Sequence, residues 1–236
     1  MPATLESVES LEADWPDQLK TGLCLALAKT EQASTAEAHR PIVVFSICYR
    51  TWAALRAKQL TYQLLPFLPN GEFGFLPNRE TGQYWLGLQA SVEHMLQLGL
   101  DFTGLSTDLR RAFNTISRPL TAALGAHMGV PDSIMIPWQS FLRTCRRRFQ
   151  LGNTVSSPAY SSIGVPEGDS LSVFAMIQLD AAFHKFMQVF APGVRSLSYV
   201  DNLALTASCS SDLAQGWVTL ESFFELWGMS TDPKKT

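Results

Sequence analysis

Tyr199-Val200-Asp201-Asn202 stands between two short apolar runs, Val194-Arg195-Ser196-Leu197-Ser198 before it and Leu203-Ala204-Leu205-Thr206-Ala207 after it. The pattern reads as a tight β-hairpin with an acid at its tip, because Asp and Asn tolerate the left-handed angles of a two-residue turn. A carboxylate on such a tip is held by a rigid element and aimed into open space, which suits a metal-dependent site. Alone, the tetrapeptide is more simply a plain Asp-Asn turn. It gains meaning from a partner upstream.

That partner is Asp108, in Gly104-Leu105-Ser106-Thr107-Asp108-Leu109-Arg110-Arg111-Ala112-Phe113-Asn114. The segment starts as a strand and is expected to turn helical at Arg110 or soon after. This places Asp108 at the strand's carboxyl end, where a ligand has room; the competing reading is an ordinary helix N-cap. Two acids from neighbouring strand ends can share a pair of divalent ions, the usual device for in-line phosphoryl or nucleotidyl transfer.

Around these two acids the motif order resembles the reverse transcriptase domain of non-LTR retrotransposons and group II intron-like elements. Arg40-Pro41-Ile42 with Tyr49-Arg50 and Trp52, then Phe73-Gly74-Phe75-Leu76-Pro77-Asn78-Arg79, resemble its two fingers motifs. Asp108 to Phe113 resembles palm motif A, and Gly164-Val165-Pro166-Glu167-Gly168-Asp169-Ser170-Leu171-Ser172 motif B. Tyr199 to Asn202 resembles the Tyr-X-Asp-Asp box of motif C. Trp227-Gly228-Met229 with Asp232-Pro233-Lys234-Lys235-Thr236 resembles motif D. Each motif is weak alone; the joint order across residues 40–236 is specific.

The resemblance implies an α+β right-hand polymerase fold: a palm built on an antiparallel sheet with helices on one face, plus helical fingers. It implies template-directed DNA synthesis by two-metal nucleotidyl transfer, with an RNA template, a DNA primer and dNTPs as partners. The expected cofactor is a pair of Mg2+ ions, or Mn2+ in their place. Asp108 and Asp201 are the expected metal ligands, with the Leu109 carbonyl a third. Ala112 and Phe113 would lie under the sugar, Phe113 as a steric gate against a 2′-hydroxyl; without the motif it is an ordinary core Phe. Arg40 would grip the triphosphate, or is a solvated Arg before Pro. Glu167 and Gly168 belong to the substrate-side turn, where Glu167 departs from the family's glutamine and, ionised, cannot donate a hydrogen bond. Lys235 matches the motif D lysine, a proton donor to pyrophosphate. Asn202 departs from the family's second Asp and removes one negative charge from the centre, which favours an alternative: a truncated, catalytically impaired module that binds nucleic acid without polymerising. The chain stops after motif D, so a missing thumb and other domains of a longer element are expected.

Composition sets looser bounds. The 236 residues are 46% hydrophobic, enough for a real core, and no apolar run is long enough to span a membrane. Net charge is -3, but residues 1–38 carry seven acids and two lysines, so the remainder is mildly basic at +2. That balance permits nucleic acid and argues against strong non-specific DNA binding. No signal peptide is visible, and four scattered cysteines read as thiols of a reducing compartment, so an intracellular location is expected, the nucleus included.

Three regions are expected: an acidic, poorly specified leader over 1–38 with a helix near Trp15 to Lys29, fingers over 39–100, and a palm over 101–236. Helical spacing covers Arg50 to Leu65, Gln83 to Leu98, Ser117 to Met128, Ser133 to Arg148, Leu171 to Phe190 and Asp212 to Trp227. Strands are expected at Gly104 to Asp108, Phe149 to Val155, Arg195 to Tyr199 and Leu203 to Ala207. The densest basic cluster is Arg143, Arg146, Arg147 and Arg148. On a helix, Arg143 and Arg147 share a face and suit phosphate, or complement the helix dipole. Arg79 is a further candidate for template backbone, or for a nearby carboxylate.

Overall fold

The computed structural model describes residues 2–29, 31, 35 and 38–236, so residues 1, 30, 32–34, 36 and 37 of the expected leader lie outside the described residues. Contacts gather the chain into two units, residues 1–60 with 118–174 and residues 61–117 with 175–236. These units cut across the sequence boundaries at 38/39 and 100/101.

The first unit holds α1 (Pro2–Glu9), β1 (Thr21–Ala28), β2 (His39–Val44), the start of α2 (Ile47–Leu64), α5 (Arg118–His127), α6 (Asp132–Thr144), β4 (Arg146–Leu151) and β5 (Thr154–Val155). The strands form one mixed sheet in the order β2-β1-β4-β5. β1 pairs antiparallel with β2, Leu25 opposite Ile42, and parallel with β4, Leu23 opposite Arg148. Pro41 is tolerated because β2 is an edge strand and loses no ladder bond inside the sheet. The unit's core is aromatic: Tyr49 stacks on Phe141 with centroids 3.5 Å apart, and Trp15 meets Tyr49, Trp52 and Phe141 edge-on.

Three expectations change here. Residues 21–28 are a central strand, not part of a helix over Trp15 to Lys29. Residues 39–100, expected as helical fingers, are helical over Ile47–Leu64 and Thr81–Gln97 and add one strand, β2. The helix expected over Ser133 to Arg148 ends at Thr144, where Cys145 turns extended and the three following arginines enter β4. Arg143, in the last turn of α6, and Arg147, on β4, therefore do not share a helical face. The expected strand Phe149 to Val155 is the end of β4 and the whole of β5, joined at Gly152.

The second unit holds the rest of α2, α3 (Thr81–Gln97), β3 (Thr103–Asp108), the short α4 (Ala112–Thr115), most of α7 (Ser170–Phe190), β6 (Val194–Tyr199), β7 (Asn202–Ala207) and α8 (Ser210–Leu226). Its sheet is antiparallel in the order β3-β7-β6. β7 is central and buried from Leu203 to Ala207, so the sheet is covered on both sides. On one side, His184 of α7 bonds Ser196 and Ser198, and Gly216 of α8 packs against Val194. On the other, Leu197 and Ala204 meet Tyr84 and Leu88 of α3. The expectation of helices on one face thus holds for α7 and α8, with α3 added opposite. α3 starts with a reciprocal capping box between Glu80 and Gln83 and stops at Gly99, which takes φ +65°.

Candidate active site

β3 ends at Asp108, and the register sets Asp108 opposite Asn202 on the central strand. Tyr199 also pairs with Asn202, so the hairpin turn is the dipeptide Val200-Asp201. The expected tight hairpin is present, but its left-handed residue is Val200 (φ 61°) rather than Asp or Asn. The Leu109 N–H donates to the Asp201 carbonyl at 2.8 Å, which ties the tip to the residue after Asp108. Asp108 is not a helix cap: Leu109 continues in bridge geometry, and α4 starts three residues later, after Arg111 with φ 53°.

The last residues lie along the open edge of β3. The Asp232 N–H donates to the Asp108 carbonyl and the Arg110 N–H to the Ser230 carbonyl, both at 2.8 Å. This brings the Lys235 ammonium onto Oδ2 of Asp108 as an ion pair. Lys235 is raised above the usual lysine range, first by that hydrogen bond and then by the negative charges of Asp108, Asp201 and Asp232, with burial opposing.

Asp108 is 7% exposed, and its Oδ1 is buried with no hydrogen-bond partner among the described residues. Burial, then the charge of Asp108, pushes the Asp201 carboxyl up to about 6. A carboxylate whose proton affinity is raised by burial and by a neighbouring carboxylate with a dry oxygen forms with it a hard-oxygen donor pair that a divalent cation fits. Among the described residues, no group of three or more His, Cys, Asp or Glu is gathered for a metal. The oxygen-bearing side chains brought together here are the two carboxylates. Asn202 is exposed and its side-chain amide approaches Oδ1 of Asp201 at 3.4 Å. Ala112 is buried and Phe113 half-buried on α4.

The second unit thus brings together Asp108, Leu109, Asp201, Asn202 and Lys235. Arg40, Glu167, Gly168, Arg143 and Arg147 belong to the first unit. Arg40 is exposed on β2. The Glu167 carbonyl accepts the Val43 N–H at 2.7 Å, so the motif B turn closes the free edge of β2. Gly168 has φ +101°, and a Cβ there would sit 2.8 Å from the Val43 carbonyl; its close approach is to this strand. Arg143 is exposed, while Nε and Nη2 of Arg147 are buried without partners among the described residues. Arg79, in the second unit, donates from Nη1 to the carbonyls of Pro69 (2.9 Å) and Glu72 and so holds its own loop.

Beneath the hairpin lies a polar cluster that sequence reasoning missed. Glu72 and Asp180 are fully buried. Both carboxyls are pushed well above the usual range by burial, then by each other's charge for Glu72 and by that of Asp201 for Asp180. His184 bonds the hydroxyls of Ser196 (2.7 Å) and Ser198 (2.9 Å) and is lowered to about 4 by burial, then by Arg79. The available signal was Asp180 itself, an acid inside the apolar stretch Val173 to Ala182.

The family described as reverse transcriptase (RNA-dependent DNA polymerase) matches residues 27–236. The Pol polyprotein of the type-1 retrotransposable element R2 of Popillia japonica is 26% identical over 157 residues, covering 61% of this chain. The chain spans only 26% of that relative's length. Among solved structures, telomerase of Candida tropicalis complexed with a fragment of telomeric RNA matches with TM-score 0.73 at 11% identity, over 94% of this chain and 41% of that one. The apo Candida tropicalis telomerase lacking its C-terminal domain gives 0.70 at 11%, over 99% and 53%. Candida albicans telomerase gives 0.62 at 12%, over 98% and 46%. At such identities the structural likeness establishes the right-hand polymerase fold.

Proposed function

Because the chain belongs to the reverse transcriptase (RNA-dependent DNA polymerase) family, we propose that it is the catalytic part of a retroelement polymerase that extends a DNA primer with dNTPs on an RNA template, by two-metal nucleotidyl transfer at Asp108 and Asp201. One observation carries this reading: two acids from adjacent strand ends converge, locked by the Leu109 N–H to Asp201 carbonyl bond, with the Asp108 charge felt by Asp201.

Asp108 and Asp201 would hold Mg2+ or Mn2+, with the Leu109 carbonyl adding an oxygen. When bound, such ions activate the attacking hydroxyl and neutralise charge on the phosphates. Asp201, with its carboxyl near 6, is ionised at neutral pH and available as a ligand. Lys235 stays protonated and lies against Asp108; displaced from it, its ammonium can donate a proton to the departing pyrophosphate. Phe113, half-buried at the start of α4, is the surface against which a 2′-hydroxyl would collide. Arg40, exposed on β2, is a cation suited to the triphosphate, and Glu167 and Gly168 shape the turn beside that strand. Arg79, Arg143 and Arg147 are the candidates for nucleic-acid phosphates, Arg79 the least available because its own loop already engages it.

A second reading, a module that binds nucleic acid without polymerising, draws on Asn202, whose amide stands beside Asp201 in place of another carboxylate. Primer extension on an RNA template with Mg2+ or Mn2+ decides between them. The polymerase reading expects dNTP incorporation that disappears in Asp108→Asn and Asp201→Asn. Activity that arises only in Asn202→Asp supports the second reading, and equal use of ribonucleotides removes the gate role of Phe113.

A further inference from the structure

Val200 is a β-branched residue at φ 61°, a conformation such side chains rarely adopt, and it is only 6% exposed. Strain of this kind persists only where neighbours over-determine it. One glycine packs on Val200 itself, and a second packs on β6, the strand that leads to it. A Cβ on Gly74 would sit 2.7 Å from both the backbone nitrogen and Cγ2 of Val200. A Cβ on Gly71 would sit 2.3 Å from the Ser196 carbonyl oxygen and 3.0 Å from the His184 ring. Between them the loop adds a short parallel strand to β6: the Ser198 N–H donates to the Gly71 carbonyl at 2.8 Å, and the Phe73 N–H donates to the Ser198 carbonyl at 3.0 Å. Arg79 fastens the loop through the Pro69 and Glu72 carbonyls. His184 grips β6 through Ser196 and Ser198.

We propose that the loop Gly71–Gly74 is a positioning brace for the candidate active site: Gly74, packed flush on Val200, fixes the hairpin tip and thereby the place of the Asp201 carboxylate beside Asp108. The inference rests on the reading of Asp108 and Asp201 as metal ligands. On one flank the tip is held by the Leu109 N–H, on the other by Gly74, so the backbone between them has no room to swing. Small displacements of a ligand weaken a metal site out of proportion to their cost in folding.

Mn2+ binding to the whole chain, followed by the loss of the free-ion signal in electron paramagnetic resonance, tests this alongside thermal melting. Gly74→Ala is expected to weaken Mn2+ binding about tenfold while leaving the circular dichroism of a folded protein. Val200→Gly relieves the left-handed strain and gives up a buried isopropyl group, effects of similar size and opposite sign, so its melting temperature changes little, yet its Mn2+ affinity falls because the tip is freed. A merely structural role would move the two readouts together. Gly82→Ala, whose Cβ meets nothing within 4 Å, serves as the control and should bind as wild type. Wild-type Mn2+ affinity in Val200→Gly and in folded Gly74→Ala overturns the brace alone. Where Gly74→Ala does not fold, the Val200→Gly result decides. Wild-type protein whose Mn2+ binding is absent, or indifferent to Asp108→Asn, overturns the metal-site reading and the brace with it.

Discussion

Asp169 in the first unit and Asp201 in the second are both shielded carboxyls raised above the usual range by burial, yet their surroundings are opposite. Asp169 is fully engaged. The Tyr49 hydroxyl (3.1 Å), Trp138 Nε1 (3.1 Å), the Ser172 hydroxyl (3.3 Å) and the Leu171 N–H (3.4 Å) all donate to it, and these bonds pull against burial. It stands at the N-terminus of α7, where a carboxylate answers orphan N–H groups. Asp201 faces a second acid instead, and the oxygen left dry is on that neighbour. A carboxyl ringed by donors stabilises a fold; two carboxyls crowded together cost stability unless a cation joins them. Burial alone does not separate the two cases, but the identity of the neighbours does.

Exchanging one residue at each place gives the sharpest break. Asp201→Asn should lower primer extension on the order of a thousandfold and leave thermal stability equal or higher, because a like-charge clash is removed. Asp169→Ala should instead cost about 3 kcal/mol of stability, since it strands the Tyr49 hydroxyl and the Trp138 N–H in the aromatic core. Denaturant melts of both, beside the extension assay, check the pair. A destabilised Asp201→Asn with normal activity would reverse the comparison.

The second place was far more legible in the sequence than the first. Asp108 and Asp201 sit at ends of strands whose alternation is local, and a turn dipeptide marks the hairpin, so pattern alone suggests both acids. The pairing of β3 with β7, which joins them, was supplied by family resemblance. β1 was hidden because Leu23-Cys24-Leu25-Ala26-Leu27-Ala28 is made of good helix formers, and only pairing with two distant strands makes it a sheet. Arg146 to Arg148 were hidden for the same reason. The Val200 strain, the glycine contacts and the His184 hydrogen bonds join segments far apart in the chain, and no window of sequence holds them. Gly168 was legible as a special glycine, but its partner, the backbone of β2, was not.

The Asp201 carboxyl also has a pH response that a single substitution isolates. The Asp201 carboxyl lies near 6 in the folded chain against an ordinary 3.8. Between those values the folded state holds the extra proton, so this group makes stability fall as pH rises. Above about 6 its penalty is complete and flat. Glu72 and Asp180, also raised, act in the same direction. His184, lowered to about 4, acts oppositely between 4 and its ordinary 6.5. The wild-type profile therefore mixes signs, and the difference from Asp201→Asn isolates one group, with Asp108, Lys235 and Asp180 as its titratable neighbours. Discounted for partial exposure, wild type should lose on the order of 2 kcal/mol relative to Asp201→Asn between pH 4 and 6. Urea melts across that range measure it, and a flat difference would remove the shift itself, from burial and from Asp108 alike.

The smallest effects come from two serines that look alike. Ser172 gives one long bond to an acid that keeps three other donors, so Ser172→Ala should cost only about 0.5 kcal/mol. Ser198 serves two buried groups at once, the ring of His184 at 2.9 Å and the Asp180 carboxyl, whose pKa it lowers. Its loss leaves a buried imidazole nitrogen and a buried acid without that partner, and should cost about 1.5 kcal/mol. Ser198 is also the residue whose backbone bonds both Gly71 and Phe73, three positions before Asp201. Alanine keeps those backbone bonds, so the Ser198→Ala loss should appear in melts more than in activity. If the two substitutions cost the same, the cluster under the hairpin is as well provided with partners as the cap of α7, and the contrast between the two units narrows to the Asp108–Asp201 pair alone.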